Sequence, residues 1–224
     1  MSVKENLASV LQTIPPHVKF VAVSKTMPNE AIMEAFDAGQ RHFGENKAQE
    51  IIRKQQELPS DIQWHFIGHL QTNKVKFIAP FVDLIESVDS LKLLREINKQ
   101  GEKAERIVPC LLQFHIAEEE TKFGLDLSEA KELIDAIEKE QMQNIQIKGV
   151  MGMATFTENE DQVRKEFKQL KKYFEIIKAE HFQDKDGFKE ISMGMSGDYL
   201  IAIEEGSTIV RIGSSIFGER NYSK

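Results

Sequence analysis

A lysine at the mouth of a buried strand, an arginine just ahead of a glycine–serine loop, and a second glycine-rich loop upstream carry the chemistry of this chain. Lys25 follows the continuous apolar run Phe20–Val23, FVAV, and is flanked by Ser24 and Thr26. Partial desolvation there lowers an amine's pKa and frees it for Schiff-base chemistry. Near the other end, Met193–Asp198 (MGMSGD) and Gly213–Gly218 (GSSIFG) each follow a short apolar run and lead into a possible helix. Glycines let a backbone approach a ligand closely, and free N–H groups at a helix start favour an anion. Two such loops in succession read as a phosphate cradle. Arg211 stands two residues before the second loop, placed to point into the same cavity. Taken alone, Lys25 reads most simply as a solvated residue at a strand end. Beside a cradle and an arginine, it reads as the anchor of a phosphorylated cofactor whose ring meets the guanidinium.

The elements that must position these residues are short apolar runs alternating with helical patterns. Strands are expected at Lys19–Ser24, His42–Glu45, Gln63–Ile67, Leu84–Ser87, Val108–His115, Gln146–Met151, Glu190–Met193 and Thr208–Ile212. Between them, Ala31, Ile32, Ala35 and Phe36 form one helical stripe, with Pro28 in its first turn and Gly39 as its stop. Leu91, Leu94 and Ile97 form another, opened by Asp89 as N-cap and closed by Gly101. Ala130, Leu133, Ile134 and Ile137 follow Ser128 in the same way, and Val163, Phe167, Leu170, Phe174 and Ile177 mark a clear amphipathic helix. Eight alternations in 224 residues favour a single-domain (β/α)8 TIM barrel over residues 1–224. An open doubly wound sheet would announce a glycine-rich loop after its first strand, where this chain has Ser24-Lys25-Thr26.

In such barrels chemistry collects at the C-terminal strand ends, with phosphate sites after strands seven and eight. Those ends carry Lys25, Glu45 with Asn46, His65, Ser87, His115, Met151, Met193 to Ser196, and Arg211 to Ser214. The cradle falls where a phosphate is expected, and Lys25 closes the ring beside it.

The remaining motifs carry less. Asn46 can cap the helix that follows it or face the cofactor from the strand end, and the two roles are compatible. His65 and His69 are four apart but are separated by Gly68 and have no evident third ligand, so a metal site is not expected. Glu118–Glu120 with Lys122 reads as a solvated loop, with a rim role for Lys122 as the lesser alternative. The lone cysteine, Cys110, precludes an internal disulfide and reads as core. A net charge of −7 lacks the basic footprint of a nucleic-acid partner, and no apolar run is long enough to cross a bilayer. The N-terminal MSVKENLASVLQTI reads as a short amphipathic helix rather than a secretion signal, which points to the cytoplasm.

Taken together, AVSKT, FGENKAQE, WHFIGHLQTNK, GVMGMATF, MGMSGD and VRIGSSIFGER occur in the order and at roughly the spacing of the YggS-like pyridoxal phosphate homeostasis proteins. The resemblance covers nearly the whole chain from Phe20 to Arg220. It implies a barrel like that of alanine racemase (the type III fold of pyridoxal 5′-phosphate proteins) holding pyridoxal 5′-phosphate (PLP) through a lysine. Carried over residue by residue, it makes Lys25 the Schiff-base lysine and turns Arg211 to the pyridine nitrogen. It puts Ser196, Gly213 and Ser214 on the phosphate and Asn46 beside the ring. Relatives commonly carry a threonine-like residue where this chain has Ser214, and the hydroxyl is kept. Relatives often have proline where His69 stands.

The function this implies is intracellular PLP homeostasis, buffering or delivering the cofactor without appreciable turnover. Apo PLP-dependent enzymes are then the acceptors, and a monomer is expected. The rival is an amino-acid racemase, which needs a proton donor and acceptor on opposite faces of the substrate carbanion. Lys25 serves one face, but none of Tyr173, Tyr199 and Tyr222 sits at a clear strand end. A cofactor-free lyase or aldolase on the same barrel would also use Lys25 and the cradle, but it gives Arg211 no task.

Overall fold

The computed structural model describes residues 2–118, 123–183 and 185–218. Eight parallel strands close on themselves in sequence order. They are β1 (Lys19–Val23), β2 (His42–Glu45), β3 (Gln63–Phe66), β4 (Leu84–Val88), β5 (Val108–Phe114), β6 (Ile145–Gly152), β7 (Glu190–Ser192) and β8 (Ile209–Ile212). Closure comes from β8 pairing with β1, from Lys19 opposite Ile209 to Ala22 opposite Ile212. Helix α1 (Val3–Leu11) precedes the barrel. Then α2 (Asn29–Asp37), α3 (Ala48–Glu57), α4 (Thr72–Ile78), α5 (Leu91–Lys103), α6 (Leu127–Lys139), α7 (Glu160–His181), α8 (Tyr199–Glu204) and α9 (Ser214–Phe217) each follow a strand. This is the expected (β/α)8 barrel.

Both faces of the strands are buried, so apolar residues dominate them, and the polar members Glu45, His65, Glu86 and Arg211 are buried with them. Side chains alternate across the sheet, so Val21 points inward to Leu84, Leu111, Met151 and Ile209. Its neighbour Ala22 points outward, into the layer that joins sheet to helices through Phe43, Ile51, Leu94 and Phe167. Cys110 is buried among them, as expected of a core residue, and burial pushes its thiol far up.

Helix boundaries depart from the expected ones where neighbouring polar residues compete. Ser90, not Asp89, caps α5: its hydroxyl accepts from the Leu93 N–H at 3.4 Å, while the Asp89 carboxylate is engaged by His69 Nδ1 at 3.0 Å. Gly101 does not end α5 but lies buried inside it, because a side chain there would meet the Asn144 carbonyl at 2.6 Å. The left-handed stop is Glu105, at φ 52°. Helix α6 starts at a capping box of Asp126 and Glu129, which leaves Ser128 within the first turn. Gly39, at φ 102°, does follow α2 as expected.

Candidate cofactor-binding site

At the C-terminal ends of the strands the barrel opens on a cavity of about 580 Å³. Lys25, Asn46, Ser196, Arg211, Gly213 and Ser214 all line it, although they come from loops and strands far apart in the chain. Also in the wall are Val23, Ile67, Met153, Thr155, Phe156 and Thr157, to none of which the sequence assigned a role in the site.

Arg211 enters from β8 and is 3% exposed. Burial lowers the pKa of its guanidinium, and Glu86 works against that loss. Its Nη1 donates to Ser192 Oγ and its Nη2 to the Gly152 carbonyl at 3.1 Å. Glu86 Oε2 accepts from Ser192 Oγ at 2.5 Å and lies 3.7 Å from Arg211 Nη1. Burial alone would push the Glu86 carboxyl up, but His65, Arg211 and Ser192 together hold it below the usual carboxylate range. Glu86 is therefore the buried anion that offsets Arg211. The column continues downward, with His65 Nδ1 at 2.6 Å from Glu86 Oε1 and His65 Nε2 at 3.1 Å from His42 Nδ1. His42 borders a second, smaller cavity together with Lys19, Asp83, Lys148 and Glu190.

Three strand-end residues depart from the expectation that they face the mouth. His65 points into the barrel interior beneath the mouth and serves Glu86, in place of standing at the rim. Glu45 turns outward to Lys54 of α3 at 2.7 Å. Ser87 is fully buried, and its Oγ has no hydrogen-bond partner among the described residues. Sequence reasoning also missed Glu86 and Ser192. Their signal was available: an acid inside the apolar run LIESV is worth a question about its partner.

Asn46 leaves β2 where the chain turns toward α3, and Lys47 is the N-cap, without a side-chain bond. The capping role for Asn46 is thereby overturned. Its Oδ1 is buried with no hydrogen-bond partner among the described residues, and Asn46 lines the cavity. The loop after β3 presses close against it, since a Cβ on Gly68 would overlap the Asn46 backbone.

The two glycine–serine loops stand side by side. The Gly213 N–H donates to Ser196 Oγ at 3.2 Å, which brings the β8–α9 turn against the β7–α8 turn. Asp198 shares the wall, and its Oδ1 accepts from the Met195 N–H at 2.5 Å. The N-terminal helix braces this corner, with Asn6 Nδ2 donating to the Ile216 carbonyl at 2.9 Å. Lys122, Glu119, Glu120, Arg220 and Tyr222 lie outside the described residues. Among the described residues no three His, Cys, Asp or Glu side chains gather as a metal site.

The family model of the alanine racemase N-terminal domain matches residues 1–221. The chain is 39% identical over 205 residues to the pyridoxal phosphate homeostasis protein of Aquifex aeolicus (strain VF5), spanning 91% of this chain and 88% of that one. The chain belongs to this family. Its Escherichia coli (strain K12) counterpart of the same name is 37% identical over 217 residues, spanning 94% and 89%. Among solved structures, PipY of Synechococcus elongatus PCC7942 with PLP bound superposes with a TM-score of 0.86 at 35% identity, over 97% of this chain and all of that one. The family fold and the barrel described above agree.

Proposed function

We propose that this chain binds PLP in the cavity at the strand ends and acts in PLP homeostasis, holding the cofactor and releasing it to apo-enzymes that need it. The observation that carries the reading is the convergence of Lys25, Arg211, Asn46 and both glycine–serine loops on one cavity. Bound PLP supplies an aldehyde, a pyridine nitrogen and a phosphate of nearly two negative charges. The residues present fit each part. Lys25 offers the amine for the aldehyde, and the Ser196–Gly213–Ser214 corner offers hydroxyl and backbone donors for the phosphate. The buried, unpartnered Asn46 Oδ1 offers an acceptor beside the ring. Arg211, cationic and offset by Glu86, would meet the pyridine nitrogen and discourage its protonation.

A role without appreciable turnover follows from the same residues. A cofactor that stabilises a carbanion strongly wants a protonated pyridine, which a carboxylate supports and an arginine does not. The racemase alternative also needs a second proton-carrying group. Tyr199 Oη lies 2.9 Å from Thr13 Oγ1, and Tyr173 packs on Phe114 with ring centres 5.2 Å apart. At the rim, Phe156 is 95% exposed, which leaves the mouth open for exchange. Action as a monomer in the cytoplasm completes the proposal. In its support, the exposed large apolar residues Leu11, Phe77, Ile107, Phe123, Phe156 and Leu200 are spread over separate helices and loops of the sequence.

Borohydride reduction of the PLP-loaded protein, followed by peptide mass spectrometry, should place a pyridoxyl group on Lys25. A label on any other lysine, or no bound cofactor after reconstitution, would overturn the reading. Racemisation of alanine at roughly 1 per second or faster that vanishes in Lys25→Ala would replace it with the enzyme.

A further inference from the structure

The turn that carries Lys25 is held in an unfavourable shape. The Met27 N–H donates to the Ser24 carbonyl at 3.0 Å, closing a four-residue turn with Lys25 and Thr26 at its centre. Thr26 sits at φ 65°. For a β-branched residue the left-handed region is an outlier, and it persists only where the surroundings over-determine it. Such strain gathers at sites where geometry matters.

What over-determines it lies on α3. Lys54 continues the buried stripe of Ala48 and Ile51, so its charged side chain enters the layer between sheet and helix with no exposed surface. Its Nζ donates to the Ser24 carbonyl at 2.9 Å and to Glu45 Oε1 at 2.7 Å, and lies 3.4 Å from Glu50 Oε2. Glu45 Oε1 also accepts from Ser24 Oγ at 2.6 Å. Glu50 Oε2 accepts the Thr26 N–H at 2.8 Å. The residues on either side of Lys25 are thus gripped by one cluster, in which Lys54 and Glu45 are fully buried and Glu50 is partly exposed. An ion pair buried this deeply adds little to stability over apolar side chains of the same volume. Its contacts show what it does secure: three of its hydrogen bonds end on Ser24 or Thr26.

We propose that Lys54, with Glu45 and Glu50, is the positioning device for Lys25: a buried clamp that holds the strained turn so that the lysine amine meets the aldehyde of PLP. The clamp rests on the cofactor reading above. None of its three members lines the cavity, so they are positioning residues. Their effect falls on the covalent bond and spares the rest of the binding.

The test compares PLP with pyridoxine 5′-phosphate, which keeps ring and phosphate but has no aldehyde. Glu50 is partly exposed, so Glu50→Ala removes one grip with little threat to the fold. It should weaken PLP binding about 10-fold, the equivalent of about 1.4 kcal/mol, while pyridoxine 5′-phosphate binding stays within about 2-fold, the range of incidental effects. Lys54→Met should act in the same direction. Adding Thr26→Gly to Glu50→Ala should restore part of the PLP affinity, because glycine takes a positive φ without the clamp. In the ligand-free protein, hydrogen exchange at the Thr26 amide should quicken in Glu50→Ala. Equal loss of both ligands, or an unchanged ratio together with unchanged exchange, would overturn the clamp. Wild-type protein that binds PLP without labelling on Lys25 would overturn the cofactor reading, and the exchange measurement would still decide the clamp.

Discussion

His42 makes the stability of this barrel depend on pH in a calculable way. Burial, reinforced by the charges of His65 and Lys19, lowers its pKa from the ordinary 6.5 to about 4, with Glu86 pulling weakly the other way. Asp83, Lys148 and Glu190 border the same cavity. Between those two values the unfolded chain carries a proton on His42 that the folded chain does not. Stability therefore rises with pH through this window and falls as acid is added. A shift from 6.5 to about 4 would correspond to about 3 kcal/mol at full protonation, but the ring is only half-buried, and solvent screening cuts this to about 1 kcal/mol by pH 4.5. His42→Asn keeps an amide near the Nδ1 position but cannot titrate. Urea unfolding of both proteins should be followed from about pH 7.5 to 4.5. The variant pays a fixed packing cost at neutral pH, then gains on wild type by about 1 kcal/mol as the pH falls to 4.5. Carboxylates titrating in the same range cancel in the difference. Parallel stability curves for the two proteins would mean that His42 keeps an ordinary pKa, and the electrostatic account of the lower barrel would be wrong.

Two further outcomes follow from the site. Arg211→Glu places a second carboxylate against Glu86, so it should destabilise the protein at pH 7 by about 3–5 kcal/mol, more than Arg211→Gln. That gap should narrow as acid lets the pair share a proton; an equal effect of both variants at every pH would remove Glu86 from the account. Ser196→Ala should weaken PLP and pyridoxine 5′-phosphate alike, by about 10-fold for a lost bond to a charged group, as read by fluorescence titration. A loss confined to PLP would move Ser196 away from the phosphate.

The fold was legible because its signals are local. A strand buried on both faces is predominantly apolar, and all eight runs fall within one residue of the strands formed. The glycine–serine loops, the lysine after FVAV and the arginine before the second loop could be named for the same reason, because each stands at a strand end. Chain order then implied a closed barrel, and a closed barrel brings its strand ends together. Helix caps were less legible, because Asp89 and Ser90 are both good caps and the choice fell to His69, a residue on another loop.

What only the tertiary structure decided is the support beneath those residues. Ser192 reaches Glu86 across 106 positions of sequence, and Lys54 reaches Ser24 across 30. A local pattern records whether a position is apolar; it does not record which distant group will neutralise a buried charge. Lys54 and Glu86 look like irregularities in otherwise apolar stripes until their partners are in place. Asn46 shows the same limit in reverse: its sequence allows a cap, and only the fold leaves its carbonyl oxygen buried at the wall of the cavity, without a partner. Residue types and their periodicity set the barrel and the ends of its strands. The orientation of Arg211 and the strained turn at Lys25 depend on hydrogen bonds that form only when the barrel closes, because burial is what makes each of those charges require its partner.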